Sequence, residues 1–269
     1  MRGVPFVALL TLASLSASAD PLAENQARFG KLSGTVLVLT QGAKEWIDAH
    51  EDLPIEPGDL IHTEESSTAE IIVSAYGLWW IQPESDVLMD RTQTQSGSLH
   101  LQMGAVLARL DAARAGLGQR WEFYTPTAVV AIRGTEFGLE FNEHQETHLG
   151  VLEGEVDIQP AEGPEGMPPP MRIGPLKEAV VPRGKAPRVA PTFSASMLTL
   201  TKWRSDLRAR QMRASSVYSP LTTTYRQELR SKFVKPVAAR HPRPERKLRL
   251  RGELKQKQKR PSKADGGML

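Results

Sequence analysis

The chain has 269 residues, a formal net charge of +3 and no cysteine. Without a thiol there is no disulfide, thiolate metal site, cysteine nucleophile or thiol-linked lipid anchor. The small net charge conceals a division: residues 20–182 hold 10 Lys and Arg against 26 Asp and Glu, a net −16, whereas residues 183–269 hold 23 against 5, a net +18.

Met1–Ala19 combines a basic Arg2, an apolar run from Val4 to Leu15 and the small residues Ala17-Ser18-Ala19. This is the pattern of a secretory leader, with cleavage expected after Ala19. The apolar run is too short to span a bilayer comfortably. No later stretch approaches that length, so the mature chain is expected to be soluble and exported, periplasmic or secreted.

Residues 29–182 are enough for one domain with a sizeable core. Strand-like runs recur at Gly34–Thr40, Leu60–Thr63, Ala69–Ser74, Leu78–Ile81, Val87–Asp90, Leu99–Leu110, Trp121–Tyr124 and His148–Gln159, separated by Gly, Pro and Asp. That spacing predicts an all-β domain, with Ala105–Ala115 open to a short helix instead. Pro57-Gly58-Asp59 reads as a turn. Glu153-Gly154-Glu155 reads as a tight turn or a bulge, and the polar Asn142–Thr147 as a connection between antiparallel strands.

The stretch Ala128–Phe141 (AVVAIRGTEFGLEF) organises this half. Through Ile132 it is nearly all apolar, as in a strand buried on both faces. Beyond Thr135 it alternates, with Phe137, Leu139 and Phe141 on one face and Glu136 and Glu140 on the other, the pattern of a half-exposed strand. Gly134 marks the change.

These pieces carry a resemblance. Gly34-Thr-Val, Gly58 to Thr63 (GDLIHT), Ser67 to Ile71 (STAEI), Gly77, Ile81-Gln-Pro83, Leu101-x-x-Gly104-x-Val106, Phe123-x-Thr-Pro126, the Arg133-Gly134-Thr135 centre and Val151-x-Glu153-Gly154-x-Val156 follow the order of the FecR domain. The resemblance runs from about Gly34 to Val181. It implies a β-rich periplasmic domain of the ferric-citrate-regulator type, with short strands wound into a sandwich- or solenoid-like body. In the best-known members this domain follows a cytoplasmic anti-sigma segment and a transmembrane helix. Here the leader runs directly into the domain, so the sigma-regulator role is not carried over. What the resemblance implies is the fold, the location and a role as an interaction module.

Several residues invite a functional reading. A buried Arg133 needs a carboxylate, and Glu153 or Glu155 on the later strand would serve, making it a structural brace rather than an anion-binding group. Trp79 and Trp80 are adjacent on a strand, so one enters the core and the other faces outward. The outward ring is a candidate for stacking on a sugar or packing on a partner, unless the C-terminal half covers it. His144 and His148 are four residues apart, but they fall in and beside a turn with no third ligand, so no metal is assigned. No Gly-x-Ser-x-Gly elbow, phosphate-binding glycine loop or His-Glu-x-x-His motif is present, and the chain is read as non-enzymatic with no cofactor.

Pro160–Pro170 is rich in Pro, Gly and Glu and reads as an insertion, with Ile173, Leu176, Val180 and Val181 in a last strand. Residues 183–193 form a linker. Residues 194–235 carry two helical patterns, Met197, Leu200, Trp203 and Leu207, then Tyr225, Leu229 and Phe233. Residues 236–269, dominated by Lys, Arg, Gln and Pro, are expected to be a disordered basic tail.

The basic half has three candidate counterparts: the acidic domain of the same or a second molecule, an anionic lipid or envelope polymer, and nucleic acid, which ranks last for an exported protein. The reading that results is an exported, non-enzymatic module for envelope binding, scaffolding or signal relay with a protein or envelope partner. The alternative is an enzyme or binding protein for envelope polysaccharide.

Overall fold

Runs of β-branched and aromatic residues, cut by turn-forming Gly, Pro and Asp, become strands that build two sheets. A computed structural model describes residues 20–75, 77–92, 96–111, 120–132, 134–161 and 169–234, and every structural statement below refers to these. The leader, Arg133, most of the 160–170 insertion and the 236–269 tail lie outside the described residues.

The first sheet is formed by β1 (Arg28–Ser33), β5 (Thr68–Ser74), β6 (Gly77–Ile81), the second half of β8 (Ser96–Leu110), β11 (Glu136–Phe141), β12 (Glu146–Glu153), β15 (Lys177–Pro182) and β16 (Arg188–Ala190), hydrogen-bonded in that order. In the second sheet the order is β3 (Ile47–Asp48), β2 (Val36–Leu39), β4 (Leu60–Thr63), β7 (Asp86–Thr92), the first half of β8, β9 (Arg120–Tyr124), β10 (Ala128–Ile132), β13 (Val156–Pro160) and β14 (Met171–Ile173). All pairs are antiparallel except β8 with β9.

Strand β8 belongs to both sheets. It pairs with β7 and β9 before Gly104, and with β6 and β11 from Gly104 onward. Gly104 has φ +91°, and a Cβ there would come within 2.2 Å of Ser85 Oγ. Only glycine combines that backbone angle with so close an approach. Ser85 Oγ then accepts the Ala105 N–H at 3.0 Å and fixes the bend.

The sheets pack face to face on a single core. Trp79 and Phe123 meet edge to face at 5.1 Å between ring centroids, and Phe123 meets Phe137 in the same way, linking β6, β9 and β11 across the sandwich. At the corner between β9 and β10, the Thr125 and Thr127 hydroxyls each lie 2.6 Å from Thr147 Oγ1 on β12. This buried hydroxyl cluster ties the Phe-x-Thr-Pro corner of one sheet to the other.

The structure corrects one local expectation and decides two readings that the sequence left open. Strand β10 is not buried on both faces: Ala128, Val130 and Ile132 point into the core, while Val129 and Ala131 stay partly exposed on the outer side of the second sheet. The helix considered at Ala105–Ala115 is absent through Leu110, because those residues pair with β6 and β11. Glu153-Gly154-Glu155 holds a bend, directly after a register shift in the pairing of β12 with β11. It is a corner carrying the chain from β12 in the first sheet to β13 in the second, with Gly154 at φ +84°.

Candidate protein-interaction face

Helices α1 (Ala195–Lys202), α2 (Arg204–Val217) and α3 (Thr223–Phe233) form an arm on the outside of the sandwich. Ser194 caps α1 by accepting the Met197 N–H, and Thr222 caps α3 by accepting the Tyr225 N–H. The chain turns at Trp203, so the first helical pattern, running from Met197 to Leu207, is divided between two helices. Helix α1 lies over β11 and β12, and α2 over β6 and β8.

The face under the arm has an apolar centre and an acidic rim. Ile72, Leu78, Trp80, Leu107 and Leu152 pack with Leu207 and Ala214 of α2 in a second cluster, separate from the core. Beside it the cross-strand pair Gly138 and Gly150 leaves a notch, filled by the Met197 side chain. A Cβ at Gly150 would lie 2.4 Å from Met197 Sδ. Any larger residue there would displace the methionine.

Trp79 is fully buried between the sheets, and Trp80 is 4% exposed on the outer face. Trp80 meets Trp203 edge to face at 5.7 Å, and the Arg210 guanidinium lies 4.1 Å from its ring centroid. The outward ring expected from the strand pattern is thus covered by the chain's own C-terminal half. The reading in which it stacks on a sugar gives way to this intramolecular contact.

The rim pairs carboxylates of the domain with guanidiniums of the arm. Glu136 is enclosed by Arg109 of β8, by Arg204 Nε at 2.5 Å and by Arg208 Nε at 2.9 Å. Glu70 accepts from Arg210 at 2.5 Å, from Arg213 at 2.7 Å and from the Lys31 N–H at 3.2 Å. Arg204 and Arg208 sit four residues apart on one helical flank, and Arg210 and Arg213 three apart on the next. Farther along, Arg226 holds Glu56 at 2.8 Å and donates to the Ala27 and Ile55 carbonyls. Arg230 grips Asp59 through two bonds of 2.7 and 2.8 Å. Asp59 also accepts the Gln41 and Glu56 N–H groups, which sets the Pro57-Gly58-Asp59 turn.

Burial pushes the Arg226 guanidinium below its ordinary pKa, against the opposing pull of Glu56. The hydrogen bond to Glu136 pushes Arg208 above its ordinary value. At the start of the arm, His148 Nδ1 lies 2.7 Å from Glu178, whose other oxygen accepts the Ser194 N–H at 2.5 Å. That carboxylate raises the His148 pKa. Burial alone would raise Glu178, but the bonds from His148 and Ser194 outweigh it and leave the carboxyl below its usual range.

The residues singled out in the sequence converge only in part. Gly134, Thr135 and Gly154 do meet: a Cβ at Gly154 would touch Thr135 Cγ2 at 2.7 Å and Gly134 O at 3.0 Å. Arg133 is outside the described residues. Glu153, offered as its partner, is taken by Arg208 at 2.7 Å and more loosely by Arg109 and Arg204, and Glu155 lies 3.7 Å from Arg172. The residues that sequence reasoning missed are Glu70, Glu136, Glu178, Gly138 and Gly150. Their signal was present in the alternation of β11, which puts Glu136, Gly138 and Glu140 on one face, and in the arginine spacing of α2. It could not be read until the two were known to meet.

Near the β8 bend an open cleft of about 650 Å³ is lined by Glu64, Glu84, Asp86, Glu140 and Glu143 with His62, and it presents a field that attracts cations. His62 Nδ1 and Asp86 are 2.8 Å apart at its wall. Among the described residues no group of side chains has the makings of a metal site. None of the described helices is long and apolar enough to cross a membrane.

Comparison with curated proteins gives no match. Two crystal structures of a candidate anti-sigma factor from Parabacteroides distasonis are similar at a TM-score of 0.43 and 13% identity, covering 54% of this chain. This chain spans 63% and 64% of their lengths, less than two thirds. The family model described as FecR protein matches residues 59–157, from the Asp59 turn to β13. Over that span the chain carries a domain of the FecR family.

Proposed function

We propose that this is a non-enzymatic, exported FecR-domain protein that works in the cell envelope by protein contact, as a binding, scaffold or signal-relay module. The observation that carries this reading is the outer face of the first sheet. Its apolar centre, its methionine-sized notch and its rim of carboxylates are the features of a surface that recognises a helix rather than of a reaction centre. The leader-like start of the chain supports export, and the FecR domain supports a signalling role. The basic residues beyond 235 supply a means of contact with anionic lipid or envelope polymer.

The test is photo-crosslinking in living cells from probes on the solvent side of α1 and α2, combined with fractionation of the envelope. Discrete protein adducts in the periplasmic fraction are the expected result. Retention of the whole population in the cytoplasm would overturn the reading.

A second reading, action on an envelope polysaccharide, draws on the carboxylate-lined cleft beside β8. It loses the tryptophans as a sugar platform, since both are buried. Release of reducing ends from purified envelope polysaccharide, abolished by Glu140→Gln, would favour it over the first.

A further inference from the structure

We propose that the arm of residues 194–234 exchanges between copies: the face it covers is a receptor for an arginine-bearing helix, and the occupant in trans is the arm of a second copy of this chain.

The first support is the way the arm is attached. Among the described residues it adds no strand to either sheet, and its backbone-to-backbone bonds to the body are two, Ala23 N–H to Leu221 O and Thr223 N–H to Pro21 O, both at 2.9 Å. These are joined by bonds between its backbone and the Glu178, Gln26, Arg28 and Asp20 side chains. Otherwise it is held by inserted side chains and by ion pairs. Met197 sits in the Gly138–Gly150 notch, Trp203 lies against Trp80, and Arg204, Arg208, Arg210, Arg213, Arg226 and Arg230 reach carboxylates. Each contact joins an arm residue to a body residue, so an arm from another copy can reproduce every one of them.

The second support is what the bare face would be. Without an arm, Trp80, Leu78 and Leu107 form an exposed apolar patch, and Glu70 keeps only the Lys31 N–H among these donors. Such a surface does not persist uncovered in water. The enclosed carboxylates also select the occupant, because a purely apolar helix would leave them unpaired. The arm's own sequence is a match in both respects, and the −16 and +18 halves of two copies attract one another. Exchange of an identical element is a low-cost route to a dimer. Salt weakens the partly exposed pairs on α2 and so controls opening.

The test uses the absence of native cysteine. A Cβ at Gly150 would lie 2.5 Å from Met197 Cγ, the place a cysteine sulfur would occupy at 197. Full-length Gly150→Cys and Met197→Cys chains are prepared separately, mixed, passed through about 1 M salt and back, and oxidised. Because a side chain at 150 crowds that chain's own Met197, a trans linkage counts for the proposal only together with the wild-type dimer described below. The expected product is a covalent dimer whose linkage maps between positions 150 and 197 of different chains, with a yield that rises with concentration. The double variant in one chain reports the same bond in cis. A 150–197 linkage confined to single chains overturns the proposal. Independently of the cysteines, the wild-type chain is expected to acquire a dimer of doubled mass after the same salt cycle at high concentration. A chain that stays monomeric at every concentration overturns it as well.

Discussion

Gly150 is the residue at which a single atom matters most. Its missing side chain is the socket for Met197, so Gly150→Val forces the arm off the notch or overpacks it, at a cost of about 1–3 kcal/mol. The expected outcome is a lower melting temperature together with faster proteolysis within residues 194–217. Cleavage at the wild-type rate would show that the notch does not hold the arm. His148 makes a different prediction. Its pKa is raised by Glu178, so the contribution of its charge is complete below the ordinary histidine value of about 6.5 and is lost as pH climbs through the raised value. Glu178 is shifted down, so its contribution holds above the ordinary carboxylate value and fades only as pH falls through the lowered one. The stability difference between wild type and His148→Asn should therefore be largest on the mildly acidic side of neutrality and shrink toward pH 9. A difference independent of pH would mean that the imidazole acts by packing alone. Arg133→Ala, argued from the sequence, is proposed to lower the melting temperature by several degrees through loss of a structural ion pair.

At the level of elements, the arm is where burial and sequence pattern part company. Strand β11 alternates as a half-exposed strand should, yet Glu136 on its outer side is 1% exposed because the Arg204 and Arg208 side chains of α2 reach over it. Nothing within Ala128–Phe141 announces that cover; it comes from residues some 70 positions later. Helix α3 repeats the lesson. Its four-residue step of Tyr225, Leu229 and Phe233 reads as an apolar stripe, but Tyr225 is half exposed and the buried residue is Arg226. An arginine with two backbone carbonyls and a carboxylate to satisfy it packs where periodicity alone would place a hydrophobe. By contrast, the strands of the FecR segment were legible, because alternation and turn chemistry are local. The prediction that belongs here is Glu136→Gln. Removing the charge that three guanidiniums share should cost about 3 kcal/mol, the low end for a broken buried pair, since Arg204 and Arg208 keep 33% and 42% exposure. Denaturant titration measures it. A midpoint unchanged from wild type would mean that water replaces the carboxylate without loss.

At the scale of the whole molecule, the division of charge in the sequence becomes, among the described residues, a division of layers. The acidic residues 20–182 fold as the sandwich, and the basic arm from 194 lies on its outer face. The overall charge of +3 says nothing of this, whereas the separation into −16 and +18 does. What the sequence left open was whether the helical part of the basic half, residues 194–234, turned inward or outward. The answer depends on side-chain geometry that composition does not encode, such as the bidentate grip of Arg230 on Asp59. A chain truncated after residue 193 is expected to bare the Trp80 face and to aggregate at concentrations at which the intact chain stays dispersed, as light scattering would show. Equal scattering by the two would mean that the arm is not needed as cover.

The meeting of residues 21–23 with 221–223 also imposes an order in time. The Gln26 side chain bonds to Leu221, which follows it by 195 residues. At a synthesis rate of about 5–20 residues per second, Gln26 waits roughly 10 to 40 s before its partner exists. Residues 21–26, which open the described fold, are thus among the last to reach their final place. A chain threaded N-terminus first through any channel cannot close this contact until nearly all of its folded length has come through. Completion of the fold thereby acts as a check that the arm has arrived.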